Sequence, residues 1–226
     1  MKIGVLGTGT VGRTLAVKLV ELGHTVTLGT RDVAATLGRK PSEGQTREQL
    51  TDWHGRNLGV EIVTFAQSAA RGEIVVNATS GSRTLDALDL AGAANLRGKV
   101  LIDVANPLDF SHGMPPTLFV KDTDCLAERV QRAYPEARVV KTLNTVNAAV
   151  MVDPASLGGG EHSVFLSGND PAAKRVVVEL LRSFGWRDIV DLGDITTARG
   201  TEMLLPLWVR LSSALGTPKL NVKVVR

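Results

Sequence analysis

The first thirty-two residues constrain the fold more than any other part of this sequence. A short apolar run at residues 3–6 leads into the motif Gly7-x-Gly9-x-x-Gly12, and a helical pattern of apolar side chains follows at once. A second apolar run occupies residues 25–28. This order predicts a strand, a glycine turn, a helix and a strand, which is the context that the dinucleotide-binding fingerprint requires.

The three glycines have separable physical roles. Gly7 allows the tight turn out of the strand, and Gly9 lacks a Cβ, so a pyrophosphate can approach the backbone closely. Gly12 lets the helix pack against the strand, while the helix N-terminus offers free N–H groups and a partial positive charge to the pyrophosphate. The sequence therefore predicts a cofactor-binding loop made of Gly7, Thr8, Gly9, Thr10, Val11 and Gly12.

The end of the second predicted strand indicates which dinucleotide binds. An NAD-binding protein usually has an acidic residue there that holds the ribose 2′-hydroxyl, whereas this chain has Thr30 and Arg31. A hydroxyl and a guanidinium suit a 2′-phosphate, so this pair predicts NADP(H). Asp32 follows directly and leaves NAD open as an alternative. Arg39 and Lys40 could add positive charge, but we interpret them as an ordinary solvated loop.

The rest of the chain alternates between short apolar runs and helical patterns, which is typical of a doubly wound sheet built from βαβ units. We predict an α/β fold: a Rossmann-type, doubly wound, mainly parallel sheet with a small C-terminal α/β extension. The predicted domains are an NADP-binding Rossmann domain, 1–150, and a smaller unit packed on it, 151–226, which forms the pocket for the hydride acceptor and a dimer contact. Predicted helices include 46–57, 84–94, 171–184 and 197–215, the last with a kink or break at Pro206.

Composition and charge exclude several classes of protein. Hydrophobic residues make up 43% and aromatic residues only 4% of the chain, which fits the aliphatic core of a parallel sheet. The net charge of +3 comes without a basic run, so we expect no nucleic-acid partner. No run of about 18 apolar residues is present, so we expect no membrane span. The four histidines are scattered, so we expect no metal site.

The cellular compartment is predicted from two further features. The single cysteine, Cys125, rules out an internal disulfide framework and is interpreted as a small core residue in a helix. The first predicted strand begins at residue 2, which leaves no room for a signal peptide. We therefore expect a cytoplasmic protein.

Polar residues follow several of the predicted strands. Ligands of open parallel sheets bind beyond the carboxyl ends of the strands. Besides the glycine loop and the Thr30–Arg31 pair, those ends carry Ala78 and Thr79, Asn106 and Pro107, and Asn144 and Thr145. The predicted site is therefore polar but poor in titratable groups.

A carbonyl reductase usually needs a proton donor near the new alkoxide, and the sequence offers few. The only tyrosine, Tyr134, has Arg138 rather than a lysine four residues further on. Lys141 follows a predicted strand and could reach the pocket, although we interpret it as a surface lysine at a strand end.

Several sequence blocks carry a family resemblance that covers nearly the whole chain. The resemblance is to one family, and it rests on the glycine motif, the Thr30–Arg31 pair, the blocks at 102–108, 140–145 and 191–199, and the Leu-Pro-Leu at 205–207. It is the family of NADP oxidoreductases that use the deazaflavin coenzyme F-420, which includes the cytosolic reductase domain of the STEAP metalloreductases.

The resemblance implies NADP(H), bound by the glycine motif with Thr30 and Arg31 on the 2′-phosphate, and a homodimer. It also implies that Asn106, Pro107, Asn144 and Thr145 lie near the nicotinamide. The candidate catalytic residues are Asn144, Thr145 and Asn106, and the cofactor-binding set is extended by Ala78, Thr79, Asn106 and Pro107. Some deazaflavin-dependent members carry His at the position of Asn144, which leaves the second substrate open.

Three functions remain open from the sequence. The first is hydride transfer between NADPH and a flavin-like or deazaflavin (F-420) acceptor, where two stacked rings need no strong side-chain acid. The second is NADPH-dependent reduction of a small carbonyl or imine, with Lys141 or an ordered water supplying the proton. The third is an NADP(H)-binding sensor without turnover.

The predicted helix at 197–215 suggests an assembly. Its consecutive apolar residues surround much of the helix, which is more than one core-facing stripe requires. We therefore expect the second apolar face to meet a partner subunit across a two-fold axis, with Trp208 as an aromatic anchor.

Overall fold

The computed structural model describes residues 1–39 and 48–226. Lys40 and the first residues of the helix expected at 46–57 lie outside the described residues. Within the described residues, ten strands are present: β1 (Lys2–Leu6), β2 (Thr25–Thr30), β3 (Val60–Thr64), β4 (Ile74–Asn77), β5 (Val100–Asp103), β6 (Leu108–Asp109), β7 (Thr117–Leu118), β8 (Arg138–Thr142), β9 (Ser163–Gly168) and β10 (Asp188–Asp191).

The main sheet follows the order β10-β9-β8-β5-β4-β1-β2-β3. Its neighbours pair in parallel, apart from the antiparallel pair of β8 and β9. The strands β6 and β7 form a separate antiparallel hairpin. The chain starts in the middle of the sheet and winds outward on both sides of β1 and β4, which confirms the predicted doubly wound α/β fold.

The helices cover both faces of the sheet. Those of the described residues are α1 (Thr10–Glu21), α2 (Val33–Leu37), α3 (Leu50–Arg56), α4 (Phe65–Arg71), α5 (Thr84–Ala91), α6 (Ala93–Leu96), α7 (Leu126–Ala133), α8 (Ala148–Val152), α9 (Pro171–Ser183), α10 (Ala198–Met203) and α11 (Leu205–Leu215). Short 3-10 turns lie at Gly81–Arg83, Pro154–Ser156, Gly158–Gly160 and Ile195–Thr197. One core lies between the sheet and α1, α8 and α9, and a second between the sheet and α4, α5, α6 and α7. Burial on both faces explains why the strands are continuous aliphatic runs.

Two predicted helices are interrupted in the structure. The helix expected at 84–94 ends at Ala91 because Gly92 adopts a φ of 86°, and α6 then starts anew. The helix expected at 197–215 is divided at Leu204. Pro206 lies in the first turn of α11, where its missing N–H is tolerated but a continuous helix is not. The predicted break at this proline is thus confirmed.

The C-terminal part of the chain extends the same sheet. The strands β9 and β10 add to the edge of β8, and α9 packs against β8 and β9. The segment after α11 returns to the start of β9, where the Ser163 N–H donates to the Val222 carbonyl at 3.0 Å. The division at residue 150 stays a prediction. No helix among the described residues is long and apolar enough to cross a bilayer.

Candidate functional site

The glycine loop joins β1 to α1, and two of its glycines are required by backbone packing. Gly7 has a φ of +112°, and a Cβ there would lie 2.6 Å from the Ala78 carbonyl oxygen. A Cβ on Gly12 would lie 1.9 Å from the Gly7 carbonyl oxygen, far inside van der Waals contact. Any side chain at either position would therefore push α1 or the loop away from the sheet.

Gly9 differs from these two glycines because its backbone is ordinary. It is the N-cap residue of α1, with φ −68° and ψ 175°, and it has no side chain with which to cap the helix. Thr10 and Val11 open α1, with Thr10 exposed and Val11 partly buried against the core. The first turn of α1 also contains no acidic residue. A helix N-terminus of this kind favours an anion.

The loop is held from behind by Arg13. Its Nε donates to the Thr8 carbonyl at 2.9 Å, and its Nη1 donates to the Glu48 carbonyl at 2.8 Å. The guanidinium carbon lies 5.6 Å from the ring centroid of Trp53, a cation–π distance. The positive side chain on α1 therefore serves to shape the loop.

A cleft of about 420 Å³ opens beside the loop at the carboxyl end of the sheet. It is bounded by the glycine loop, the end of β2 and the segment after β4. Of the predicted cofactor-binding residues, it brings together Gly7, Thr8, Gly9, Thr30, Arg31, Ala78 and Thr79. Thr10, Val11, Gly12, Asn106 and Pro107 are not among its lining residues.

The end of β2 is arranged so that Asp32 is engaged and Arg31 is free. The Asp32 carboxylate accepts a hydrogen bond from the Ala35 N–H at 2.9 Å and thereby caps α2. The Thr30 hydroxyl lies 2.7 Å from the Thr36 hydroxyl. Arg31 is exposed and, within the part of the chain that the structure describes, forms no ion pair. Asp32, the residue that kept NAD as an alternative in the sequence analysis, therefore serves as the N-cap of α2.

Two further arginines line the same cleft. Arg39, interpreted from the sequence as part of a solvated loop, is one of them. Arg83, which sequence reasoning missed, is the other, and its guanidinium lies 3.3 Å from the Asp86 carboxylate on the exposed surface. The polar turn after β4 was the signal in the sequence that could have indicated Arg83. In the structure, a Cβ on Gly81 in this turn would lie 1.9 Å from the Asn106 carbonyl oxygen. This close approach joins the Arg83 turn to the Asn106 loop.

A reciprocal amide pair lies at the ends of β5 and β8. Asn106 Nδ2 donates to the Asn144 carbonyl at 2.8 Å, and Asn144 Nδ2 donates to Asn106 Oδ1 at 3.1 Å. Asn144 Nδ2 also donates to the Thr201 carbonyl of α10 at 3.1 Å. Of the three candidate catalytic residues, Asn144 and Thr145 are buried and only Asn106 is partly exposed. Pro107, which follows Asn106, is buried.

The backbone just before Asn144 is strained. Leu143 has a φ of 59°, a left-handed conformation that costs a branched residue roughly 1–3 kcal/mol. Its carbonyl accepts the Val146 N–H at 3.1 Å in a tight turn. Such strain persists only where the surrounding structure enforces it, and here it lies directly before the Asn144 amide.

The interpretation of Lys141 as a surface lysine is wrong. Its side chain is 1% exposed, and its ammonium group lies 2.9 Å from the Asp103 carboxylate and 2.8 Å from the Glu202 carboxylate. Burial by itself would lower the pKa of Lys141, but the two carboxylates raise it above its ordinary value. Sequence reasoning missed Asp103 and Glu202 as partners, because nothing in their local sequence indicates that they meet.

Cys125 is buried, as expected, but it lies at the N-cap position of α7 rather than within the helix. Burial raises the pKa of its thiol to about 12, so it is an unreactive thiol at neutral pH. No group of three or more metal-ligating side chains occurs among the described residues.

The doubly wound sheet, with a glycine loop and an uncapped helix at the crevice where the strand order reverses, defines a Rossmann-type dinucleotide-binding protein. Residues 2–107 match the family described as NADP oxidoreductase, coenzyme F-420-dependent. This match covers 106 of the 226 residues, and the full-length match at 59% identity described next shows that the chain belongs to this family.

Individual relatives agree with this assignment. The crystal structure of a protein from Arthrobacter sp., provisionally described as an F-420-dependent NADP-reductase, superimposes with a TM-score of 0.96, at 59% identity over 100% of both chains. The F-420-dependent NADP reductase of Methanocaldococcus jannaschii is 26% identical over 94% of this chain and 92% of its own. Metalloreductase STEAP3 of Rattus norvegicus is 30% identical over 92% of this chain. The chain spans only 38% of that relative's length.

Proposed function

We propose that this protein transfers hydride between NADP(H) and a deazaflavin acceptor of the coenzyme F-420 type. The observation that carries NADP(H) is the charge arrangement at the cleft, where Arg31 is free while Asp32 caps α2, and the F-420-dependent relatives support the deazaflavin acceptor. When bound, NADP(H) supplies the hydride donor or acceptor carbon of its nicotinamide. The chain supplies binding, orientation and exclusion of competing groups.

The end of the cleft near β2 binds the 2′-phosphate. Thr30 offers a hydroxyl, and Arg31 offers a planar guanidinium that forks onto phosphate oxygens. Arg39 and Arg83 line the same cleft and add positive charge within a few side-chain lengths. Asp32, whose Oδ1 caps α2, is not among the residues that line the cleft, and Asp86, which lines it, pairs with Arg83.

The glycine loop binds the pyrophosphate. Gly9 presents its backbone without a Cβ at the N-terminus of α1, where N–H groups and the helix dipole stabilise negative charge. Ala78 and Thr79 line the same cleft and would orient the ribose next to the pyrophosphate. The Thr79 hydroxyl is fixed by Asn77 Oδ1 at 2.6 Å.

The loop that contains Asn106 and Pro107 would hold the nicotinamide. The polar side chains there are amides that already hydrogen bond to one another, so they orient a ring rather than exchange a proton. Lys141 is held by two carboxylates beneath this loop and has no access to a substrate. These features support transfer between two stacked rings over reduction of a carbonyl or imine, which needs a proton donor.

A second copy of the chain completes the acceptor side. In α11 only Leu205 is buried, whereas Leu207 is 51% exposed and Leu215 is 62% exposed, and Trp208 is partly buried. An apolar helix with so little cover is typical of an interface. We therefore propose a two-fold homodimer through α11, with residues 151–226 as the smaller unit that walls the acceptor pocket.

One experiment tests the proposed function. The purified protein is mixed with NADPH and, in separate reactions, with coenzyme F-420, a flavin, a ferric chelate and a cyclic imine, and NADPH oxidation is followed by absorbance. We expect turnover with F-420 to exceed that with the other acceptors. Turnover of the imine alone would support the carbonyl or imine reductase, and binding of NADPH without any turnover would support the sensor.

A further inference from the structure

Three charged side chains form a closed cluster beneath the Asn106–Asn144 pair. Lys141, Asp103 and Glu202 have exposed fractions of 1%, 0% and 1%. The Lys141 ammonium contacts both carboxylates and also donates to the Ala105 carbonyl. Such a group of buried charges is costly unless every polar atom finds a partner.

The cluster carries one more carboxylate than cation, and backbone groups stabilise the excess. Glu202 Oε2 accepts the Leu126 N–H at 2.7 Å, and Oε1 accepts the Ala127 N–H at 3.0 Å, at the N-terminus of α7. Asp103 Oδ1 accepts from Asn77 Nδ2 at 2.7 Å and from the Ala105 N–H at 3.2 Å. The partial positive charge of the α7 terminus thus balances Glu202.

Each member of the cluster is linked to the amide pair through the backbone. Asp103 ends β5 three residues before Asn106, and Lys141 lies in β8 three residues before Asn144. Glu202 directly follows Thr201, whose carbonyl accepts from Asn144 Nδ2 at 3.1 Å. The carboxylate of Glu202 therefore fixes α10, and α10 in turn fixes the amide of Asn144.

From this geometry we infer that Glu202 is a positioning residue for the nicotinamide end of the site. Its hydrogen bonds fix the position of α10 relative to the sheet. The position of α10 in turn fixes the Asn106–Asn144 pair that would support the nicotinamide ring. The same α10 sets the direction in which α11 leaves the body of the protein. The inference rests on the proposed function, since it assumes that the nicotinamide lies at Asn106.

The sharpest variant is Glu202→Gln. Glu202 contacts three donors, from Lys141, Leu126 and Ala127. A glutamine oxygen at Oε1 keeps two of them, but its amide nitrogen then meets the Leu126 N–H, donor against donor. The variant leaves one cation and one carboxylate in the cluster, so the burial of an unpaired charge is avoided. We expect it to fold with α10 slightly displaced.

The matched control is Glu128→Gln. Glu128 lies on α7 and pairs with Arg199 of α10, with oxygen–nitrogen distances of 2.7 and 2.6 Å. It joins the same two helices as Glu202, but it has no hydrogen bond to the amide pair or to its carbonyl partners. If a loss of NADP⁺ affinity comes only from a weaker contact between α7 and α10, it should appear in both variants.

Calorimetry with NADP⁺ and with 2′,5′-ADP, which lacks the nicotinamide half, separates the two ends of the site. For Glu202→Gln we expect NADP⁺ to bind about fivefold more weakly and 2′,5′-ADP to be unchanged within about twofold, because only the ring support is displaced. For Glu128→Gln we expect both affinities to be unchanged within about twofold. Equal effects of the two variants on NADP⁺ would overturn the inference.

The remaining outcomes also decide. If Glu202→Gln does not fold, Glu202→Asp keeps the charge and withdraws the carboxylate by one methylene, and it should give the same selective loss. If neither variant folds, Glu202 serves folding and the inference is wrong. If the unmodified protein binds neither ligand, the proposed function is wrong. If the unmodified protein and Glu202→Gln both bind NADP⁺ with the same affinity, the proposed function stands and the inference about Glu202 is wrong.

Discussion

The two ends of the candidate site differ in how they are built. The end near β2 is an open cleft, bounded by the glycine loop, the end of β2 and the segment after β4, and lined by exposed arginines. The end at Asn106 and Asn144 is a neutral amide pair resting on three buried charges. The first end can be altered one side chain at a time. The second is a connected network, in which one change is passed to all of its members.

The two ends therefore contribute differently to a bound cofactor, one chiefly binding energy and the other orientation. An exposed arginine adds charge-assisted contacts to a phosphate without rearranging the protein. A buried network adds little contact with a ligand but holds a ring in one place.

Gly9→Val should abolish cofactor binding while the fold is kept. The φ of −68° is allowed for valine, so the backbone needs no change, but the branched side chain occupies the volume of the pyrophosphate. Calorimetry with NADP⁺ and circular dichroism check the two halves. Gly55→Val is the control, since a Cβ at Gly55 meets no atom within 4 Å. A folded Gly9→Val protein with normal affinity would exclude the loop as the site.

Leu207→Asp should weaken the dimer by roughly 100-fold, because a charge is buried where an apolar side chain belongs. Leu207 is exposed in the single chain, so the folded subunit should keep its stability. Sedimentation at micromolar concentration measures the shift. Leu58→Asp is the control, at a leucine that is 78% exposed on another surface. A monomeric unmodified protein would refute the dimer.

Arg31→Ala should weaken NADPH binding by roughly 30-fold and leave NADH nearly unchanged, since a phosphate-paired arginine contributes about 1.5–3 kcal/mol. Fluorescence titration with both cofactors measures the ratio. Arg182→Ala, in an exposed pair with Glu179 on α9, is the control and should change neither affinity. Equal affinity of the unmodified protein for both cofactors would contradict the proposal.

Asp124→Asn should have the smallest effect of the four substitutions. It should lower the free energy of unfolding at neutral pH and much less at acidic pH. Hydrogen bonds from Arg132 and Arg129 lower the pKa of Asp124 from 3.8 to about 2, so its stabilisation is complete above the unfolded pKa and is lost as the pH falls from about 4 to about 2. We expect a loss of about 1 kcal/mol at pH 7, reduced by the exposure of both arginines.

Urea unfolding at pH 7 and at pH 3 measures this difference. The gap between Asp124→Asn and the unmodified protein should narrow at the lower pH. The exposed carboxylate of Glu179, changed to Gln, is the control and should cost less than about 0.5 kcal/mol at either pH. A gap that is constant with pH would show that packing, not ionisation, is responsible.

The fold was largely predictable because its signals are local. Aliphatic runs separated by helical patterns identify buried parallel strands whatever their order in the sheet. The boundaries of single elements were less predictable. Gly92 ends α5 through a positive φ, which periodicity does not reveal, whereas the effect of Pro206 follows from its missing N–H and was predicted.

The candidate site was predictable in part. The glycine loop and the Thr30–Arg31 pair lie in one segment, and seven of the predicted cofactor residues line one cleft. Arg83 was missed because its place in the site depends on the close contact of its turn with the Asn106 loop. Glu202 was missed because it contacts Leu126, which lies 76 residues earlier in the chain. Lys141 was misread for the same reason: burial of a lysine depends on which carboxylates the fold brings to it.

The strand, glycine turn and helix that open the chain can be predicted from the residues present, because those residues dictate the local backbone conformation. The apolar runs also predict an aliphatic, mainly parallel sheet. The folded chain was needed to show that Asn106 contacts Asn144, 38 residues away, and that Asp103, Lys141 and Glu202 form one cluster. Contacts between distant residues depend on strand order and helix placement, and these are fixed by the packing of the whole chain.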